Sequence, residues 1–197
     1  MRVCLHAQRG VAVSREKTLA VANYASWHER LEMTGAAPSH VQSPILHVAL
    51  YRPEIHPNAG NIARLCAANG IPLHLIGDLG FRTDERSVRR AGLDYWPHVD
   101  LRREIDFDEL RASLPGSRCF FFSARAERAF TDVEYLRGDC LVFGPESRGL
   151  PEQLLEMNRA HTVRIPMRTA HVRSLNLASA VAIAVYEALR QFEVRTG

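Results

Sequence analysis

The sequence predicts an α/β fold: a mostly parallel sheet with flanking helices. Three observations lead there. Short, continuously apolar runs of strand length recur through residues 45–197, and runs without polar alternation suit strands buried on both faces. Segments with helical spacing and helix stop signals separate these runs, as parallel strands require for their crossovers. An apolar fraction of 46% with 24% charged residues, over 197 residues, argues against disorder and supports a core that needs no staples.

Taken in order, residues 1–44 read as an extension of net charge +2 without a chemical motif. A helix over 15–33 fits there, capped by Ser14 and ended near Gly35, with a thin stripe of Ala20, Tyr24, Trp27 and Leu31. Residues 35–39 (GAAPS) look like a linker. The domain proper is expected over 45–197. Residues 45–51 (ILHVALY) form a strand closed by Pro53, and 58–69 form a helix with Gly70 placed to end it. A second strand covers 72–76 and stops at Gly77. Helices follow over 84–91 and 106–114. Strands are expected at 119–122 (CFFF), 140–143 (CLVF) and 163–165, with a proline-started helix after Pro151 and a long terminal helix over 174–194.

Net charge is only +3, but 24 of the 25 basic residues are arginines and Lys17 is the sole lysine. Cys4, Cys66, Cys119 and Cys140 contain no Cys-x-x-Cys pair and read as reduced thiols. The nine histidines lack metal-ligand spacing. The amino terminus lacks a signal-peptide apolar core, and the greasiest stretch, 175–189, is too short and too interrupted to span a bilayer. A cytoplasmic protein is expected, without metal or membrane.

Ligands in open α/β sheets sit beyond the carboxyl ends of strands, so three strand-end segments stand out. In 57–64 (PNAGNIAR), Asn61, Arg64 and Ala68 share one helical strip. Asn58 stands where an N-cap would, and Arg64 reads equally well as a solvated surface arginine. In 141–151 (LVFGPESRGLP), two glycines flank a charged pair, and glycine lets backbone approach a ligand closely. Glu146 there either serves a site, pairs with Arg148, or balances the dipole of the next helix. The third segment joins Ile165-Pro166-Met167 to Ser174-Leu175-Asn176-Leu177. Ser174 is placed to cap the last helix, while Asn176 has weak helix preference and invites another reason. That helix begins apolar on nearly every side, through Ala178, Ala180, Ala182 and Ala184, and needs cover from its own fold or a partner subunit. Neither G-x-G-x-x-G nor a P-loop nor a G-x-S-x-G elbow is present, which sets aside dehydrogenases, NTPases and serine hydrolases.

Together and in this order, the segments resemble the SPOUT (trefoil-knotted) RNA methyltransferases, in their ribose 2'-O-methylating branch. The signature Asn-…-Asn-Ile-x-Arg appears as Asn58, Asn61, Ile62 and Arg64. Phe-Gly-Pro-Glu-x-x-Gly-Leu appears at 143–150, and Ile-Pro-Met…Ser-x-Asn-Leu at 165–167 with 174–177. The stretches 50–58 (LYRPEIHPN) and 89–95 (RRAGLDY) resemble the minimal single-domain group that methylates the anticodon wobble nucleotide of leucine tRNAs. The resemblance implies a deep carboxy-terminal knot, contrary to the general rule against threaded chains. It also implies S-adenosylmethionine as cofactor, a tRNA anticodon stem-loop as substrate, and a homodimer. Carried over by position, the cofactor site falls on Phe122, Gly144, Ile165 and Ser174, with Leu150, Met167 and Leu175 covering the adenine. Phe122 departs from the smaller apolar residues usual there.

By the same resemblance Arg64 is the central catalytic residue, oriented by Asn58, with Glu146 and Asn176 shaping the site. Because guanidinium stays protonated, Arg64 is better read as an anchor for phosphate and alkoxide than as a base. Arg82, Arg86, Arg89 and Arg90 crowd the third loop-helix region, and Arg168 and Arg173 flank the cofactor loop. Arginine binds phosphate bidentately and stacks on unpaired bases, so these six are the expected RNA contacts. Arg102, Arg103 and Arg111 read as ordinary surface. Alternatives are a ribosomal-RNA or other-tRNA enzyme of the same superfamily, or a non-catalytic RNA-binding protein on the same fold. The lack of a separate RNA-binding domain weighs against the first, and the joint presence of the site residues against the second.

Overall fold

The structure, a computed structural model, describes residues 44–79, 95–169 and 171–196. The expected helices over 15–33 and 84–91, and Arg82, Arg86, Arg89 and Arg90, lie outside the described residues. The elements run β1 (His47–Tyr51), α1 (His56–Asn69), β2 (Leu73–Ile76), β3 (Leu101–Glu104), α2 (Phe107–Ser113), β4 (Cys119–Phe122), β5 (Arg128–Ala129), β6 (Cys140–Phe143), α3 (Glu152–Met157), β7 (Thr162–Arg164) and α4 (Leu177–Thr196). The described strands form one sheet in the order β3-β2-β1-β6-β4-β7-β5, and each adjacent pair is parallel. This is the expected α/β class.

Alternation along the strands divides the core into two layers. Val48, Leu50, Leu73, Leu141 and Phe143 pack with Ile62 and Cys66 of α1 and Val181, Ala184 and Val185 of α4. On the opposite face, Ala49, Ile76, Phe121 and Val142 pack with Leu110 of α2 and with Leu150. Burial on both faces accounts for the unbroken apolar runs by which β1, β2, β4 and β6 are legible.

The ends of two helices differ from expectation. Helix α1 starts at His56, with Pro57 in its first turn and the extended Ile55 (φ −108°) before it, so Asn58 is not its cap. Helix α4 starts at Leu177, and its cap is Asn176 rather than Ser174: Asn176 Oδ1 accepts from the amides of Ala178 (2.9 Å) and Ser179 (3.3 Å). The expected stop at Gly70 holds, in the left-handed conformation (φ 61°) with its N–H on the last carbonyls. Among the described residues, no helix is long and apolar enough to cross a membrane, and no cluster of three or more His, Cys, Asp or Glu side chains could hold a metal ion.

Candidate active site

The carboxyl ends of β1, β4 and β6 deliver three loops to one place. Strand β1 leaves the sheet through Arg52, a non-glycine residue in the left-handed region (φ 48°). The chain then runs through Pro53, Glu54 and Ile55 into α1 and presents two amides that the helix itself cannot satisfy. Glu146, from the loop after β6, satisfies both. Its Oε2 accepts from the Glu54 amide at 2.9 Å, and its Oε1 from the Ile55 amide at 3.3 Å and Asn58 Nδ2 at 3.0 Å. The carboxylate therefore caps α1 from a distant loop and complements that helix's dipole. It neither pairs with Arg148 nor serves the helix that follows it.

Glu54 returns the contact. Its carboxylate accepts from the Ser147 amide (3.1 Å) and the Ser147 hydroxyl (2.8 Å). Two loops about ninety residues apart thus hold each other by exchanged carboxylates. The chain continues from Asn58, which is buried and whose Oδ1 accepts from Asn176 Nδ2 at 3.0 Å. Asn176 in turn caps α4. Glu146, Asn58 and Asn176, read from three separate segments, form one line of hydrogen bonds.

The loop after β6 explains its glycines. A Cβ on Gly144 would collide with the backbone of Gly149 and Leu150. Gly149 has a φ of 72° and donates its N–H to Pro145 O at 2.9 Å. Gly144 is needed because the loop folds back on its own backbone, and Gly149 because it is left-handed; the close approach expected for a ligand is made by the loop itself.

This loop, the end of β4, the start of α1 and residues Ile165, Met167 and 173–177 line a cavity of about 850 Å³. All seven residues expected to hold the cofactor, Phe122, Gly144, Leu150, Ile165, Met167, Ser174 and Leu175, line it. Asn58, Glu146, Asn176 and Arg173 line it as well. The Phe122 and Phe143 rings, both buried in the core, stack on each other at 4.5 Å and 16° and form part of the cavity lining. Other expected residues are elsewhere. Arg64 is exposed on α1, its guanidinium 5.0 Å from the centre of the Tyr95 ring, and Tyr95 Oη donates to Gly60 O at 2.8 Å. Neither Arg64 nor Arg168 is among the residues lining the cavity.

Sequence reasoning passed over Glu54, Ser147, Arg125 and Arg148. Glu54 lies inside the LYRPEIHPN stretch, and its acid had a legible partner only in three dimensions. Arg125 follows the β4 strand end by three positions, where strand-end logic would have found it.

The SpoU rRNA Methylase family matches residues 45–186. The chain is 45% identical over 148 residues to the tRNA (cytidine(34)-2'-O)-methyltransferase of Aeromonas hydrophila, covering 75% of this chain and 94% of that one. It is 47% identical over 150 residues to the protein of the same name from Burkholderia cenocepacia, covering 75% and 96%. A solved structure described as "Structural insights into the 2-OH methylation of C/U34 on tRNA" superposes with a TM-score of 0.71 at 53% identity, covering 78% of this chain and 99% of that one. An AdoMet-bound rRNA methyltransferase from Sinorhizobium meliloti superposes with a TM-score of 0.64 at 26% identity, covering 77% and 58%. The looped carboxylates and the cavity they brace lie wholly within the matched residues, and the chain belongs to the SpoU rRNA Methylase family of RNA methyltransferases.

Proposed function

We propose that this chain is a cytoplasmic, S-adenosylmethionine-dependent tRNA 2'-O-methyltransferase acting on the wobble nucleotide, C or U, of leucine tRNAs. The observation that carries the reading is the braced cavity, in a chain whose named relatives methylate cytidine 34 and align over nearly their whole length. Its volume falls within the roughly 300–1,000 Å³ of small-molecule sites. Its apolar lining, with Phe122, Phe143 and Leu150 part of it, suits an adenine. Bound there, S-adenosylmethionine supplies an electrophilic methyl carbon on a sulfonium.

The chain's own part is positioning and charge. Both Glu146 oxygens are engaged by amide donors, so Glu146 holds the loop in place and does not act as a base. Asn58, fixed between Glu146 and Asn176, aligns the ribose. Arg64 steadies the developing alkoxide and its phosphate. Since Arg64 does not line its own chain's cavity, the reading puts it in the cavity of a second copy. A homodimer fits the outer strip of α4, where Ile183, Tyr186 and Val194 are 40%, 56% and 70% exposed. The knot, and a catalytic domain of 45–197 behind an extension of 1–44, belong to the same reading.

Incubation with labelled S-adenosylmethionine and undermodified total tRNA, followed by mapping of the methylated nucleotide, tests it. Label on the wobble ribose of leucine tRNAs is expected. Label only at another tRNA position supports the other-tRNA alternative, and no transfer overturns the reading. Arg64→Ala is expected to abolish turnover while calorimetric cofactor affinity persists; lost affinity would refute the catalytic role.

A further inference from the structure

Three arginines reach the cavity from three loops: Arg125 after β4, Arg148 at the tip of the turn after β6, and Arg173 before α4. The last was expected to meet RNA, whereas the first two have no assigned role. Arg125 meets Glu152 at 3.4 Å, with the two side chains 65% and 71% exposed, a pair of little strength. Arg148 is exposed, with no side-chain partner among the described residues. One carboxylate, Glu146, lines the cavity, and its oxygens already take three hydrogen bonds from the protein. Three arginines against the one carboxylate of Glu146 leave the lining with an excess of positive charge, which the exposed Glu152 beside Arg125 offsets only weakly.

That charge is not complementary to the methyl donor, whose sulfonium is a cation and whose amino-acid tail is internally neutral. It suits a polyanion entering beside the donor. We infer that Arg125 and Arg148 form a clamp on the phosphates that flank the ribose to be methylated. The inference rests on the RNA-methylating reading above and adds to it how the substrate backbone is seated. Guanidinium forks grip phosphate oxygens bidentately. Arg148 rides on the turn that Glu54 holds through Ser147, so one arm of the clamp has a braced base.

The test compares the full-length wild type with the Arg125→Ala/Arg148→Ala and Arg125→Lys/Arg148→Lys pairs. Each is titrated with an unmodified leucine-tRNA anticodon stem-loop at several KCl concentrations, and separately with S-adenosylmethionine. The alanine pair is expected to raise the RNA Kd and KM about tenfold and to flatten the slope of log K against log salt by about 1.4, two contacts at ~0.7 each. Its S-adenosylmethionine affinity is expected to be unchanged, which also shows that the pocket is folded. The lysine pair is expected to keep the wild-type salt slope. Wild-type RNA affinity and slope in the alanine pair would overturn the clamp. So would a loss confined to cofactor affinity, which would assign these arginines to the donor's carboxylate. A wild type that neither binds nor methylates the stem-loop would overturn the functional reading, and the clamp with it.

Discussion

Asn176 does two jobs with two ends of one amide. Its oxygen caps α4, and its nitrogen reaches Asn58. The jobs separate by substitution. Asn176→Ala is expected to cost about 0.5–2 kcal/mol of stability through the lost cap, read as a lower Tm, and to reduce turnover. Asn176→Ser keeps a capping oxygen but not the amide donor, so stability should recover while turnover does not. Glu54 offers a second probe. Removing its carboxylate in Glu54→Ala frees the Ser147 amide and hydroxyl and releases the turn that lines the cavity. Hydrogen bonds to a charged group are worth about 1.5–3 kcal/mol, and this pair is exposed, so the low end applies. An approximately tenfold weaker S-adenosylmethionine Kd by calorimetry is expected, with secondary structure by circular dichroism unchanged. Of these residues, Asn58, Glu146 and Asn176 were legible in sequence because each falls in one of the three motif segments that together resemble the family signature. Glu54 was not, since an acid before a helix has an ordinary local explanation and its partner is about ninety positions away.

At the scale of strands, β1, β2 and β3 carry a buried polar line through the sheet. His47 Nδ1 lies 3.1 Å from His74 Nε2, and His74 Nδ1 lies 2.6 Å from Glu104 Oε1. Burial first, then the nearby His74 and Arg102, lower the His47 pKa from 6.5 to about 4, against a small opposing pull from Asp100. The unfolded chain then takes up a proton between pH 6.5 and about 4 that the folded chain refuses. Stability is therefore full above pH 6.5 and falls as pH drops towards 4, by on the order of 3 kcal/mol. Urea melts across that range should show this decline, and His47→Gln should flatten it. Strand legibility follows the same physics. Strands β4 and β6 are apolar throughout and were read to the residue. Strand β3 (LRRE) at one edge of the sheet hides behind two arginines, and β5 at the other edge is two residues long; neither has a period to read.

For the whole molecule, the sequence made the α/β class plain because parallel strands buried on both faces leave continuous apolar runs. Through the family resemblance, seven of the residues that line the cavity were legible as well. The sequence did not reveal the three-dimensional closure between loops, which depends on exchanged carboxylates with no spacing signature. The dimer reading makes its own prediction. Tyr186→Glu, on the exposed strip of α4, should shift the protein from dimer to monomer in sedimentation velocity and abolish turnover if Arg64 acts across subunits. The cap at Asn176 ties these levels together. The residue that links the cavity to Asn58 also closes the first turn of the helix proposed to face the second copy. If donor binding raises subunit affinity through this residue, subunit association must raise donor affinity by the same factor. In the proposed dimer, slower exchange of the Ala178 and Ser179 amides with donor bound, and weaker donor binding on dilution, are the expected outcomes of such a link.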